Sequence, residues 1–259
     1  MKLMINHQTH YQYTEPARNS VQYIKMTPTS NPHQQVHSWH VSVPGQKNIK
    51  IDGFNNTWIT SSQRQAYRQM TIMAQGIIEI NSDSRFGIPS MINPTVFLQS
   101  TSNTLCNAEM RDFAKSNVKD LTVSDLIHLS QALLQHIPYQ PHQTSVRTSA
   151  IEAFQQRKGV CQDHSHVFIA MCKYLGLPTR YVSGYLFVPN TAHLASHAWA
   201  EVFLENTWYC FDTSNQLFTP SSHIYVAIGR DYWDVAPIRG VRERGGTETM
   251  HSVVQVLAC

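Results

Sequence analysis

Three observations predict an α+β fold for this 259-residue chain. The first eighty residues carry strand signals and no capped helical period. Helical periods with recognisable caps follow from about residue 105, and strand-like alternation returns after residue 180.

In the first part, Val36–Val43 is β-rich and is broken by Pro44-Gly45, and Ile49 and Ile51 precede the turn pair Asp52-Gly53. Thr71–Met73 and Ile77–Ile80 add further strand-like runs, so residues 1–80 read as an all-β domain, a small antiparallel sheet or sandwich. Residues 81–104 are rich in Ser, Asn, Pro and Thr and read as a linker, leaving 105–259 as a second domain. There, Asn107 can cap a short helix through Lys115. Thr122-x-x-Asp125 opens a longer helix with Leu126, Leu129, Leu133 and Ile137 on one stripe, stopped by Pro138. Ser149-x-x-Glu152 opens a third, which Gly159 would close. From Cys161 to Leu175 a helix about 22 Å long is apolar on most faces, hence buried, with Gly176 and Pro178 as its stop.

Composition excludes several classes. A formal charge of +3 with scattered Lys and Arg lacks the basic stripe of a nucleic-acid binder. No stretch approaches the roughly 20 apolar residues of a membrane helix, and no apolar leader core opens the chain, which favours the cytoplasm. The five cysteines are widely spaced, odd in number and without a C-x-x-C pair, so neither a disulfide framework nor a zinc knuckle is expected.

One cysteine stands apart. Cys161 precedes the apolar run and sits at the helix's first turn, where free N–H groups and the dipole favour negative charge; Asp163 is suited to the same N–H groups. Downstream, His197–Leu204 alternates, with Ala198, Ala200, Val202 and Leu204 on one face and His197, Trp199, Glu201 and Phe203 on the other. If Thr207–Thr213 pairs with it through a two-residue turn at Glu205-Asn206, residue 197 opposes 214 and Asp212 lies diagonally beside His197. Such a Cys-His-Asp set is what thiol acyl transfer requires: a nucleophile, a proton carrier and a carboxylate that orients the imidazole.

GVCQDHSHVFIAMCKYLGLPTRYVSGYL (159–186) and SHAWAEVFLENTWYCFDTSN (196–215) resemble the cysteine segment and the histidine–aspartate segment of the bacterial transglutaminase-like superfamily. GRDYWDVAPIRG resembles a tail block of its bacterial members, and QYTEPARNSVQYIKMTP with DGFNN is similar to their N-terminal domain. The resemblance implies a papain-like core, a nucleophile helix packed on an antiparallel sheet. It makes Cys161 the nucleophile, His197 the base and acid, and Asp212 the orienter. Two departures stand out: the family's D-P-T is Asp212-Thr213-Ser214 here, and His164 follows C-Q-D, read as a solvated imidazole one turn from the thiol.

For the oxyanion, the Cys161 N–H is the first donor expected, with Gln155, Gln156 or Tyr139 as a side-chain donor. His164, His166, His193 and His197 near Cys161 offer a zinc set, but a spacing of four at a strand start does not gather ligands. No acid-rich calcium loop occurs. The expectation is an enzyme without cofactor or metal, hydrolysing peptide or side-chain amides, with a peptide or protein substrate. A glutamine transamidase and a non-catalytic peptide-binding module are the alternatives.

Overall fold

The computed structural model describes residues 1–189, 191 and 196–259. Its first strand, β1 (Lys2–Thr27), alternates buried and exposed residues along its first half and is the spine of a seven-stranded sheet. β5 (Tyr67–Ile80) and β11 (Glu248–Ala258) flank its first half, while β4 (Thr57–Gln63) and β10 (Ile238–Arg244) flank its second, all antiparallel. β2 (Gln34–Ser42) and β3 (Gln46–Ile51) complete the sheet on β5 and β4. The β3–β4 turn is longer than its Asp52-Gly53 pair suggests. Asp52 Oδ1 accepts the N–H groups of Phe54 and Asn56 at 2.9 Å each, and Asn55, with φ 63°, takes the left-handed position.

Dividing the chain in sequence order at residue 104 does not describe this sheet. β10 and β11 lie after the second domain's helices yet hydrogen-bond to β1 in the first. Alternation identifies a strand but not its partner, and these partners are more than two hundred residues away. The 81–104 stretch is also more than a tether. Gly87 N–H bonds the Trp208 carbonyl at 2.7 Å, and Phe97 is fully buried among Trp199, Trp208 and Tyr225.

The second unit places four helices and a four-stranded sheet around one core. α1 (Ala108–Asn117) and α2 (Val123–His136) start where Asn107 and Thr122 side chains accept N–H bonds from Met110 and Asp125, and the α2 stripe is entirely buried. α3 (Ala150–Gln156) opens on the reciprocal Ser149/Glu152 box. It ends earlier than Gly159, because Arg157 itself adopts the left-handed conformation at φ 53°. Gly159 serves another need: a Cβ there would lie 2.6 Å from the Asp163 Cβ. α4 (Cys161–Tyr174) runs through the middle of the core, and Gly176 at φ 83° stops it.

Beneath α4 the strands order as β8 (Thr207–Phe211), β7 (His197–Leu204), β6 (Thr179–Leu186) and β9 (His223–Gly229). Ala198, Ala200 and Val202 meet α4, while Trp199 faces the opposite core with Phe97 and Tyr225. A sheet covered on both faces explains why every residue of β6 is buried. The short helix α5 (Tyr232–Val235) leads from β9 into β10.

On the far face, Arg180 and Glu201 are both fully buried and paired. Arg180 Nε donates to Glu201 Oε2 at 2.8 Å, its Nη2 donates to the Ile88 carbonyl at 2.6 Å, and its guanidinium lies 4.0 Å over the Trp208 ring. Glu201 Oε1 accepts from the Tyr225 hydroxyl. Removing one partner leaves the other buried and uncompensated. Glu201→Ala should therefore cost about 3–5 kcal/mol and lower the thermal midpoint by about 10 °C, read by calorimetry, whereas Arg180→Met with Glu201→Leu should lose less.

Candidate active site

The first turn of α4 carries Cys161. Val160 is extended, at φ −121° and ψ −172°, and its N–H is taken by the Asp163 carboxylate at 2.8 Å, which also accepts from Thr144 Oγ at 2.7 Å. Burial holds the Asp163 carboxyl above its usual range against these two bonds. Asp163 thus closes the turn on Val160, one residue before the cysteine.

β7 and β8 form the expected two-residue hairpin. Leu204 pairs with Thr207 and Ala200 with Phe211, and Glu205 and Asn206 have φ of 51° and 62°. Two left-handed residues make the turn whose twist suits a hairpin, and that fixes the register. His197 and Asp212 consequently meet diagonally: His197 Nε2 donates to Asp212 Oδ2 at 2.7 Å. The missing proline after Asp212 is made good by backbone bonds, Asp212 N to the Leu217 carbonyl at 2.9 Å and Leu217 N to the Asp212 carbonyl at 3.2 Å.

Asp212 is fully buried and gathers donors. Besides His197, its carboxylate accepts from His223 Nε2 at 3.2 Å, from Asn215 Nδ2 at 2.9 Å and from Asn215 N at 3.2 Å. Burial opposes its ionised form, but the bonds from His197 and His223 outweigh it and hold the carboxyl well below the usual range. For His197 the same balance shifts the pKa upward. Burial disfavours the imidazolium, yet the bond to Asp212 and the adjacent Cys161 side chain raise its pKa to about 10. Trp199 stacks beside the ring, centroids 6.0 Å apart and planes 23° apart.

His223 is the residue that sequence reasoning missed. It lies on β9, two strands from β7, so only the sheet order brings it under Asp212. Burial keeps it below the ordinary imidazole range, and with Nε2 donating it is a neutral second donor to the carboxylate. His164 corrects an expectation: it is fully buried, not solvated. Its Nε2 donates to the Ile137 carbonyl at 2.8 Å and its Nδ1 accepts from Ser214 Oγ at 2.7 Å, which ties α4 to the end of α2 and to the aspartate turn.

Among the described residues, the imidazoles weighed for zinc form no ligand group together. His164 is spent as just described, His166 Nε2 accepts the Tyr232 N–H at 3.1 Å, and His193 lies outside the described residues. A different trio, His197, Asp212 and His223, brings one ligand atom each within 4.8 Å of one another. Both of its imidazoles already donate to one carboxylate oxygen, so an ion there would have to displace two hydrogen bonds.

Cys161 and His197 open onto a cleft of about 410 Å³. Tyr139 lines it, whereas Gln155 and Gln156 are exposed on α3 and do not, which removes both glutamines as oxyanion donors. No helix among the described residues is long and apolar enough to cross a membrane.

Comparison with known proteins agrees with this geometry. Residues 112–213 match the model of the transglutaminase-like superfamily, and residues 3–79 match that of the bacterial transglutaminase-like N-terminal region. An uncharacterized protein of Mycobacterium leprae is 28% identical, covering 98% of each chain, and one of Mycobacterium tuberculosis is 25% identical, covering 97% of this chain and 90% of its own. A crystal structure from Cytophaga hutchinsonii, provisionally named a cysteine protease, superposes with a TM-score of 0.77 over 100% of this chain and 91% of that one at 19% identity, a likeness of fold. With residues 3–79 and 112–213 matched in order, and α4 packed on an antiparallel sheet, the chain belongs to the transglutaminase-like superfamily, in its bacterial form with the characteristic N-terminal region.

Proposed function

We propose that this protein is a thiol-dependent amide hydrolase, acting on peptide or side-chain amides through Cys161, His197 and Asp212. The observation that carries the reading is the 2.7 Å bond from His197 Nε2 to the buried Asp212 carboxylate, which fixes the tautomer and leaves Nδ1 as the ring nitrogen for the thiol. With its proton already held on His197 Nδ1, Cys161 Sγ attacks the amide carbon. The tetrahedral oxyanion is met by the Cys161 N–H, and Tyr139 is the side-chain donor available in the cleft. His197 returns the proton to the leaving amine. Water then adds to the thioester and releases the acid and the thiol. The family supports cysteine-based acyl transfer; hydrolysis over transfer to an amine is our inference. Five free cysteines suit a reducing compartment, so we infer a cytoplasmic site.

Iodoacetamide labelling with site-resolved mass spectrometry tests the thiol. Burial pushes the Cys106 thiol up to about 11 and raises Cys172 and Cys210 further, so these stay silent, while exposed Cys259 is removed beforehand as Cys259→Ser. Cys161 should label well below pH 8, and Cys161→Ala should abolish turnover of peptide amides. Turnover retained in that variant would exclude the mechanism. Amine incorporation at glutamine, measured alongside ammonia release, would move the reaction to transamidation. A Cys161 that labels no faster than a free thiol would favour a peptide-binding module.

A further inference from the structure

The wall of the cleft facing Cys161 comes from the other sheet. Thr9 and Tyr11 on β1 pair across the strands with Ser252 and Met250 on β11, and all four side chains line the cleft. Behind them His7 is buried, its Nδ1 bonded to the Tyr185 hydroxyl and its Nε2 to Ser252 Oγ, both at 3.0 Å. This polar clasp ties the wall to β6 of the catalytic unit.

Tyr139, Tyr181, Tyr232, Pro237 and Ile238 also line the cleft. No Asp, Glu, Lys or Arg lines the cleft among the described residues. Its imidazoles are His7, His197 and the exposed His142 at the rim. Burial lowers His7 to about 4, so it is neutral at pH 7. Nearby carboxylates are turned elsewhere, Asp163 to the Val160 N–H, Asp212 to its own donors and Glu248 to Arg242 Nε. Away from His197, whose ring is already paired with Asp212, a carboxylate or ammonium entering this space would lose its water and meet no counter-charge among the described lining residues, whereas an apolar side chain would bury area against rings and methyl groups.

We propose that the N-terminal sheet is the substrate-selecting wall of the site, forming with the tyrosines a subsite for an aromatic or long aliphatic side chain of a peptide acyl donor and rejecting charged ones. The proposal rests on the acyl-transfer reading above and names the donor that reading leaves open. It also gives the N-terminal sheet a task, since without β1 and β11 the cleft has one side.

Thiol-directed peptidyl chloromethyl ketones, alike except for Phe, Leu, Glu or Lys next to the reactive group, test it on the full chain in the Cys259→Ser background. Each inactivation rate is divided by the iodoacetamide rate of the same protein, which separates the subsite from the nucleophile. Phe and Leu should exceed Glu and Lys by about 30-fold. Met250 is 59% exposed, so Met250→Lys can be made without opening the core, and it should narrow the Phe-to-Glu ratio about tenfold. Four equal normalised rates, or faster reaction of the charged reagents, would overturn the subsite and leave the thiol reading standing. A Cys161 inert to iodoacetamide and to all four reagents would overturn both.

Discussion

Replacing His197 by alanine should slow iodoacetamide alkylation of Cys161 at pH 6 by about 100-fold or more, the scale on which a positioned proton acceptor works. The ring is held from both sides. Asp212 fixes Nε2, and the thiol side raises the ring further, so the imidazolium persists up to about pH 10 although burial disfavours it. Removing the ring removes the group that holds the thiol proton and the counter-charge beside the sulfur. Asp212→Asn should fall between wild type and His197→Ala, because the amide keeps the shape of the carboxylate and loses its charge. Equal alkylation rates in wild type and His197→Ala across pH 5–9 would mean that the two side chains do not act together.

A second large effect is expected in acid. Burial lowers the pKa of His7 to about 4 and of His166 to about 3, and it lowers His33, His164 and His223 as well. Above pH 6.5 these rings are neutral whether the chain is folded or not, and they contribute no slope. Below 6.5 the unfolded chain binds protons that the folded chain refuses, so stability falls with pH until the folded values near 4 and 3 are reached. His166 gives the structural reason: its Nε2 accepts the Tyr232 N–H, a bond that protonation would break. His7 and His166 alone amount to about 3 kcal/mol per pH unit, or about 6–12 °C of thermal midpoint. His197 opposes the trend on the other side, since its raised pKa gives stability that is complete below 6.5 and fades as pH rises towards 10. Asp212 contributes above about 3.9, its ordinary range, and loses that contribution only in stronger acid. The midpoint should therefore peak near neutrality and drop steeply from pH 6.5 to 4.5 in calorimetry. His7→Gln should flatten the acid limb, and a midpoint unchanged between pH 7 and 5 would refute the account.

Features of the site set by local chemistry were legible in the sequence. Asn107, Thr122 and Ser149 cap the helices they appear to cap, because a cap is decided within four residues. Glu205-Asn206 fixes a register, and the register alone carries Asp212 to His197. Features set by distant partners were not legible. His223 reaches Asp212 only through the order β8-β7-β6-β9, which alternation does not encode. His164 looked solvated because its neighbours in sequence are polar, yet the groups that bury it, Ile137 and Ser214, come from the end of α2 and the aspartate turn. Gly159 looked like a helix stop, but Arg157 bears the left-handed strain and Gly159 makes room for Asp163. The same blindness to long-range pairing left residues 238–258 in the 105–259 domain, whereas β10 and β11 hydrogen-bond to β1.

That pairing has a consequence for synthesis. β1 leaves the ribosome more than two hundred residues before β11, which covers one flank of its first half. Leu3 faces Ala258 across the ladder, so the loop closed by this contact spans nearly the whole chain. Until β11 has been made, the edge of β1 that awaits it is open to any other extended chain, a template for misassociation during every round of translation. The catalytic unit, with α4 and its sheet, can condense while that edge waits, but the selecting wall cannot. On this ordering the nascent chain would hold its proposed nucleophile before its proposed selecting wall.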